Sequence, residues 1–181
     1  MTTTVNPGPW YIRLSTYKTF DYAKGDLLAA VAELFLDANE AKITAQLGGP
    51  ATLTTIVPST SGFTYAQQPL RRTLARAPQL DMRLSQCLEH VEGQRTSRRS
   101  YTPEAFRALP GVDGQRVILI EDTWVTGGTA ISAAGALLEA GAIAVAVIPI
   151  ARIVEKNSYL SPKYLEYMDD APWEATDWAR D

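Results

Sequence analysis

Residues 117–129, Val-Ile-Leu-Ile-Glu-Asp-Thr-Trp-Val-Thr-Gly-Gly-Thr, constrain the fold of this chain more than any other stretch. Val117 to Ile120 are apolar and mostly β-branched, which suits a central strand covered on both faces, as in a parallel sheet. The strand is expected to end on two adjacent carboxylates, Glu121 and Asp122, and to pass into a turn holding Gly127 and Gly128. Ala130 to Ala140 are rich in Ala and Leu, so a helix should begin near Thr129. Strand, small-residue turn and helix N-terminus together favour an anion, because backbone N–H groups and the positive end of the helix dipole face the turn. The two carboxylates cannot bind phosphate themselves. They accept hydrogen bonds from sugar hydroxyls or help to hold a hydrated divalent cation. A phosphate cradle beside hydroxyl acceptors describes a pocket for a phosphorylated sugar.

The frame around this stretch is ordinary. At 181 residues the chain is most simply one domain, 1–181, large enough to bury its own core. Its 46% hydrophobic and 20% charged residues match a soluble globular protein. A formal charge of −3 gives no general ground for binding nucleic acid or a membrane. One cysteine, Cys87, excludes an internal disulfide framework and agrees with a reducing cytoplasm. No apolar stretch approaches a membrane span, and Met1 to Pro7 lack a basic region followed by an apolar core, so the expected compartment is the cytoplasm.

In chain order, residues 1–9 read as a loose arm broken by Pro7, Gly8 and Pro9, and Trp10 to Leu14 as a short strand. Leu27, Leu28, Val31, Leu34 and Phe35 are spaced for one buried helical face over about 26–38. A continuation or second short helix must stop before Gly48-Gly49-Pro50. Thr54 to Pro58 suit a second buried strand. The loop leaving it, Ser59, Thr60, Ser61 and Gly62, can cradle a second phosphate or be a plain serine-rich turn. Leu70 and Leu74 mark a helical face in the basic segment 69–77, read as a solvated surface, and a short edge strand is expected near Leu84. Residues 92–101 carry Arg95, Arg98 and Arg99 without hydrophobic periodicity. They read as a flexible surface loop of the kind that closes as a lid, since arginine forks clamp phosphate. Thr102-Pro103-Glu104 should open a short helix through Leu109. Gly141 fits a helix C-cap, and Ala142 to Ile150 a further buried strand, so that 117–150 is a βαβ unit with Pro149 at a strand end or edge. The tail 155–181 is acidic and aromatic (Tyr159, Tyr164, Tyr167, Trp173, Trp178). It suits a cover over the pocket or an interface such as that of a homodimer, against the plainer expectation that it packs on the surface. His90 is the only histidine, which leaves a His-based metal site or Ser-His triad without support.

The 117–129 segment resembles the phosphoribosyl-diphosphate (PRPP) signature of type I phosphoribosyltransferases, in which an apolar strand leads to two acids and a Thr/Gly turn. Gly62-Phe-Thr-Tyr-Ala-Gln67 and the pair Arg98, Arg99 followed by Ala105-Phe106 are similar to stretches of the competence-protein F (ComF-like) and amidophosphoribosyltransferase-like branch. The resemblance implies an α/β fold: a mainly parallel central sheet flanked by helices, with a small hood built from the N-terminal and C-terminal segments. It implies that Glu121 and Asp122 take the ribose hydroxyls and, through water, Mg²⁺. Val125, Thr126, Gly127, Gly128 and Thr129 would hold the 5′-phosphate, and Ser59, Thr60, Ser61 and Gly62 the diphosphate. Arg98 and Arg99 would come from the closing loop.

The activity implied by the resemblance is that of a phosphoribosyltransferase using PRPP, Mg²⁺ and a small nitrogenous acceptor. Neither a membrane nor a nucleic acid is expected as a partner. Three positions depart from the family pattern. Ser61 stands where a basic residue is usual, Trp124 replaces a small aliphatic residue, and Val125 replaces the first threonine. The carboxylate that helps deprotonate a nucleobase in several relatives is missing at 124–125, which argues against a hypoxanthine-type enzyme. Trp124 is read either as a stacking surface for a planar acceptor or as a core or hood contact. The rival expectation keeps the fold without turnover, as a PRPP- or nucleotide-sensing regulator or a DNA-uptake accessory protein.

Overall fold

A computed structural model describes residues 2–5, 17, 22–59, 62–96 and 99–154 of the chain. The strands among them are Thr2–Val5 (β1), Leu53–Ile56 (β2), Leu88–His90 (β3), Phe106–Ala108 (β4), Arg116–Trp124 (β5) and Ala144–Val154 (β6). The helices are Tyr22–Ala38 (α1), Glu40–Leu47 (α2), Pro69–Leu74 (α3), Pro78–Arg83 (α4) and Gly128–Glu139 (α5). One sheet runs in the order β1-β6-β5-β2 with every pairing parallel, and β3 pairs antiparallel with β4 in a separate hairpin. The chain is thus α/β, a parallel sheet flanked by helices.

Side-chain alternation along the two middle strands divides the core between the sheet's faces. Ile118 and Ile120 of β5, with Ile148 and Ile150 of β6, pack against Leu28, Phe35 and Leu36 of α1, Ile43 and Leu47 of α2, and Leu74 of α3. Val117 and Leu119 face the other way, onto Ala133, Ala136 and Leu137 of α5 and onto Leu88 and Phe106 of the hairpin. Burial on both faces is why residues 117–120 form a continuous apolar run rather than an alternating one. Leu119 and Leu137 are wholly inaccessible, and each such leucine contributes about 1.5–3 kcal/mol relative to an exposed one.

The expected βαβ unit is present as β5-α5-β6. Gly141 ends α5 as anticipated: its φ is 93°, and the N–H groups of Gly141 and Ala142 close back on the carbonyls of Leu138 (3.0 Å) and Leu137 (3.1 Å). At the same end of the sheet, Arg116 donates from Nε to the Leu47 carbonyl at 3.1 Å, placing a cation at the negative end of α2. No helix among the described residues is long and apolar enough to cross a membrane.

Four local expectations need correction. Thr2–Val5 form an edge strand against Ala151–Val154 instead of a loose arm, because three threonines and a valine suit a pleated edge that β6 would otherwise leave open. The Leu84 region makes only a single bridge to Thr54, and the strand there begins at Leu88. The helix expected over 102–109 is a single 3₁₀ turn, Pro103–Ala105, followed by β4. Phe106 is drawn into the core beside Leu88, and tertiary packing overrides the local start signal. Pro149 meets the edge alternative: it lies within β6 opposite Glu121, on a stretch whose other side β1 does not reach. Finally, β5 does not stop at the acids but runs on to Trp124, because β6 is long enough to pair with it as far as Arg152. The expected strand at residues 10–14 and the tail 155–181 lie outside the described residues.

Candidate functional site

Two loops leave the same end of adjacent strands. Parallel pairing sets Ile56 beside Ile120, and the Val57 N–H donates to the Ile120 carbonyl at 2.9 Å. Strands in a sheet lie about 4.8 Å apart, so residues 57–59 start level with Glu121 and Asp122. The candidate ribose acceptors and the candidate diphosphate loop are therefore neighbours on the sheet's C-terminal edge, the usual place for a ligand in an open α/β sheet.

The two acids are half-buried and, because β5 continues through them, their side chains leave opposite faces. Asp122 follows Ile118 and Ile120 towards the α1 side; Glu121 follows Val117 and Leu119 towards the α5 side. On the α1 side Asp122 meets Tyr17. The Tyr17 hydroxyl donates to Asp122 Oδ2 at 2.6 Å, and the ring is only 5% exposed within that core. Burial holds the phenol well above its ordinary pKa, reinforced by the charge and hydrogen bond of Asp122 and by the charge of Glu121. Tyr17 is thus a fixed donor at neutral pH.

Beyond Trp124 the chain turns through Val125 and Thr126 into Gly127, whose φ is 84°, and α5 begins at Gly128. No side chain caps the helix, which leaves the cradle role for its first turn to backbone N–H groups. Trp124 is seated on this turn. A Cβ built on Gly127 would lie 2.3 Å from the indole Cζ2. Trp124 is half-buried and packs against its own turn, a contact that neither reading of it anticipated.

A second tie runs through Ser132, which is fully buried in α5. Its hydroxyl donates to the Gly128 carbonyl at 2.6 Å and accepts the Thr102 N–H at 2.9 Å. The far end of the basic loop is thereby fastened to the first turn of the candidate phosphate helix. The loop is the tip of the β3–β4 hairpin, closed by the Val91 N–H on the Ala105 carbonyl at 2.9 Å. Arg95 and Arg99 on it are exposed, whereas Arg98 lies outside the described residues. Ser132→Ala is expected to cost about 1–3 kcal/mol, since the Thr102 N–H loses its acceptor. Hydrogen exchange at Thr102 should speed up with it; unchanged exchange would show that Ser132 does not hold the loop.

The 57–62 loop is less open than its composition suggests. The Ser59 N–H and hydroxyl both donate to Gln68 Oε1, at 3.1 and 3.0 Å, so neither is directed at a ligand. Gly62 is exposed with φ 90° and open space around its Cα, and Thr60 and Ser61 lie outside the described residues. Between this loop and the hairpin opens a cleft of about 630 Å³, lined by Pro58, Gly62, Phe63, Glu89, His90 and Arg107 among others. Residues 121–129 take no part in its lining. Its carboxylates, Glu89 and Glu92, suit it poorly to a diphosphate.

Among the described residues no group of three or more His, Cys, Asp or Glu side chains could hold a metal ion by itself. A magnesium ion carried on a diphosphate keeps mostly water and phosphate oxygens as ligands and needs only one or two carboxylates. Glu121 or Asp122, which leave opposite faces of the sheet, would each serve that use singly. Sequence reasoning missed Tyr17, Ser132 and Gln68. Ser132 had one usable signal, a hydroxyl residue four positions after a helix-start glycine, where it can bond back to the i−4 carbonyl. Compared with family models, with curated proteins and with solved structures, the chain matches none.

Proposed function

We propose that the chain adopts a type I phosphoribosyltransferase fold, binds PRPP, and transfers its 5-phosphoribosyl group to a nitrogen acceptor, a nucleobase or amine, with release of diphosphate. The observation that carries this reading is the continuous run of two carboxylates, an uncapped glycine turn and a helix N-terminus at the edge of a parallel sheet, beside the start of a second loop. A glycine turn alone would suit any phosphate; the acids make it a site for a phosphate joined to a polyol.

In this reading the backbone N–H groups of 125–129 hold the 5′-phosphate, and Asp122 accepts from the ribose hydroxyls on the α1 side of the sheet, the face that the Glu121 side chain turns away from. Binding the parts of PRPP remote from C1 orients C1 for attack. The acceptor nitrogen forms its bond to C1 as the C1–oxygen bond to diphosphate breaks, and the electron pair leaves with the diphosphate. The acceptor's proton passes to solvent or to the departing diphosphate. Arg99 on the hairpin tip, and Arg98 beside it in the sequence, would offset the charge that develops there. Mg²⁺, when bound with PRPP, supplies further neutralisation of the diphosphate.

Two observations favour a second reading, a PRPP-binding regulator without turnover. Trp124 occupies the surface of the turn, and the Ser59 donors face Gln68. Isothermal titration with PRPP and Mg²⁺ tests the site: saturable binding is expected, and undetectable binding removes both readings. Diphosphate release from PRPP across a panel of nucleobases and amines then separates them. Turnover with any acceptor supports the transferase, and binding without release the regulator.

A further inference from the structure

We propose that Tyr17 is a positioning residue of the ribose site, which fixes one oxygen of Asp122 so that the carboxylate is held in one orientation towards a ligand hydroxyl; this rests on the reading of Asp122 as a ribose acceptor. The geometry is direct. The Tyr17 hydroxyl meets Asp122 Oδ2 at 2.6 Å, and its ring is built into the same core as α1. An aspartate carboxylate that no hydrogen bond holds turns freely about χ2, whose well is broad. A ligand must then bear the ordering cost on binding. A buried phenol removes that freedom in advance. Unlike an arginine in the same place, it brings no positive charge to the carboxylate. A half-buried acid on a strand thereby becomes a directional acceptor for a sugar hydroxyl, set by a residue more than a hundred positions away.

A double-mutant cycle on PRPP affinity tests this, because it separates action through Asp122 from a general structural effect. The parent, Tyr17→Phe, Asp122→Ala and the double variant are titrated with PRPP and Mg²⁺. Phenylalanine keeps the ring in the core and deletes only the hydroxyl. Tyr17→Phe is expected to weaken PRPP about tenfold, the size of a lost hydrogen bond to a charged group. In the Asp122→Ala background the same change should cost no further affinity. Additive losses, or an unchanged Kd in Tyr17→Phe, would overturn the proposal while leaving PRPP binding intact. Tighter binding by Tyr17→Phe would also overturn it, by showing that the phenol occupies the place of a ribose hydroxyl. Failure of Tyr17→Phe to fold would assign the hydroxyl to stability instead. No PRPP binding by the parent chain would instead sink the ribose-site reading itself, and Tyr17's role with it.

Discussion

Gly127→Ala is expected to lower the stability of the chain by about 2–6 kcal/mol, a large fraction of the roughly 5–15 kcal/mol that holds a domain together. Two effects add. The backbone at Gly127 has φ 84°, a conformation that costs a residue with a side chain about 1–3 kcal/mol. The new methyl would also enter the Trp124 indole, with Cζ2, Cη2 and Cε2 at 2.3, 2.6 and 2.8 Å from the Cβ position. A ring cannot yield by bending as a flexible chain end does, so Trp124 must leave its seat, at the ~1–3 kcal/mol typical of overpacking. The two effects separate in a Trp124→Ala background, where only the backbone cost should remain. Urea unfolding of the four proteins measures this directly. A Gly127→Ala loss under about 1 kcal/mol would mean that the turn is not held as described.

The same turn shows how far the sequence could be read. Residues 117–120 announced a central strand because burial on both faces demands unbroken apolar character, and α5 followed from its composition and from Gly141 as its stop. The end of β5 was not legible. Polar residues at 121–123 mark where the core ends, not where backbone pairing ends, and β6 continues the ladder to Trp124. The consequence is functional, since it sends the side chains of Glu121 and Asp122 to opposite faces of the sheet. The β3–β4 hairpin was hidden for a related reason. Pro103 carries a genuine helix-start signal, but one turn later Phe106 pairs with His90 and contacts its ring edge-to-face at 5.5 Å. Tyr17 carried no local signal at all, because its meaning comes from a partner on a distant strand.

Asp122→Ala should act on two properties at once, and the contrast with Asp122→Asn tells them apart. Alanine removes the acceptor of the Tyr17 hydroxyl, which is buried in the α1-side core. Removing one side of a buried hydrogen bond costs about 1–3 kcal/mol. Asparagine retains a carbonyl oxygen at the same reach and should keep most of that stability. PRPP affinity follows charge as well as shape, so both variants should weaken it. Alanine, which leaves the ribose hydroxyl no acceptor, should lose about 10- to 100-fold, the range for a hydrogen bond to a charged group. Adding Tyr17→Phe to Asp122→Ala then removes the other side of that bond. Stability should return towards the parent value, because deleting both partners of a hydrogen bond is nearly neutral, while PRPP binding stays lost. Thermal unfolding and calorimetry on the same samples would show the two properties separating. If affinity returned together with stability, Asp122 would be a residue that holds the fold, and the ribose acceptor would have to be sought at Glu121.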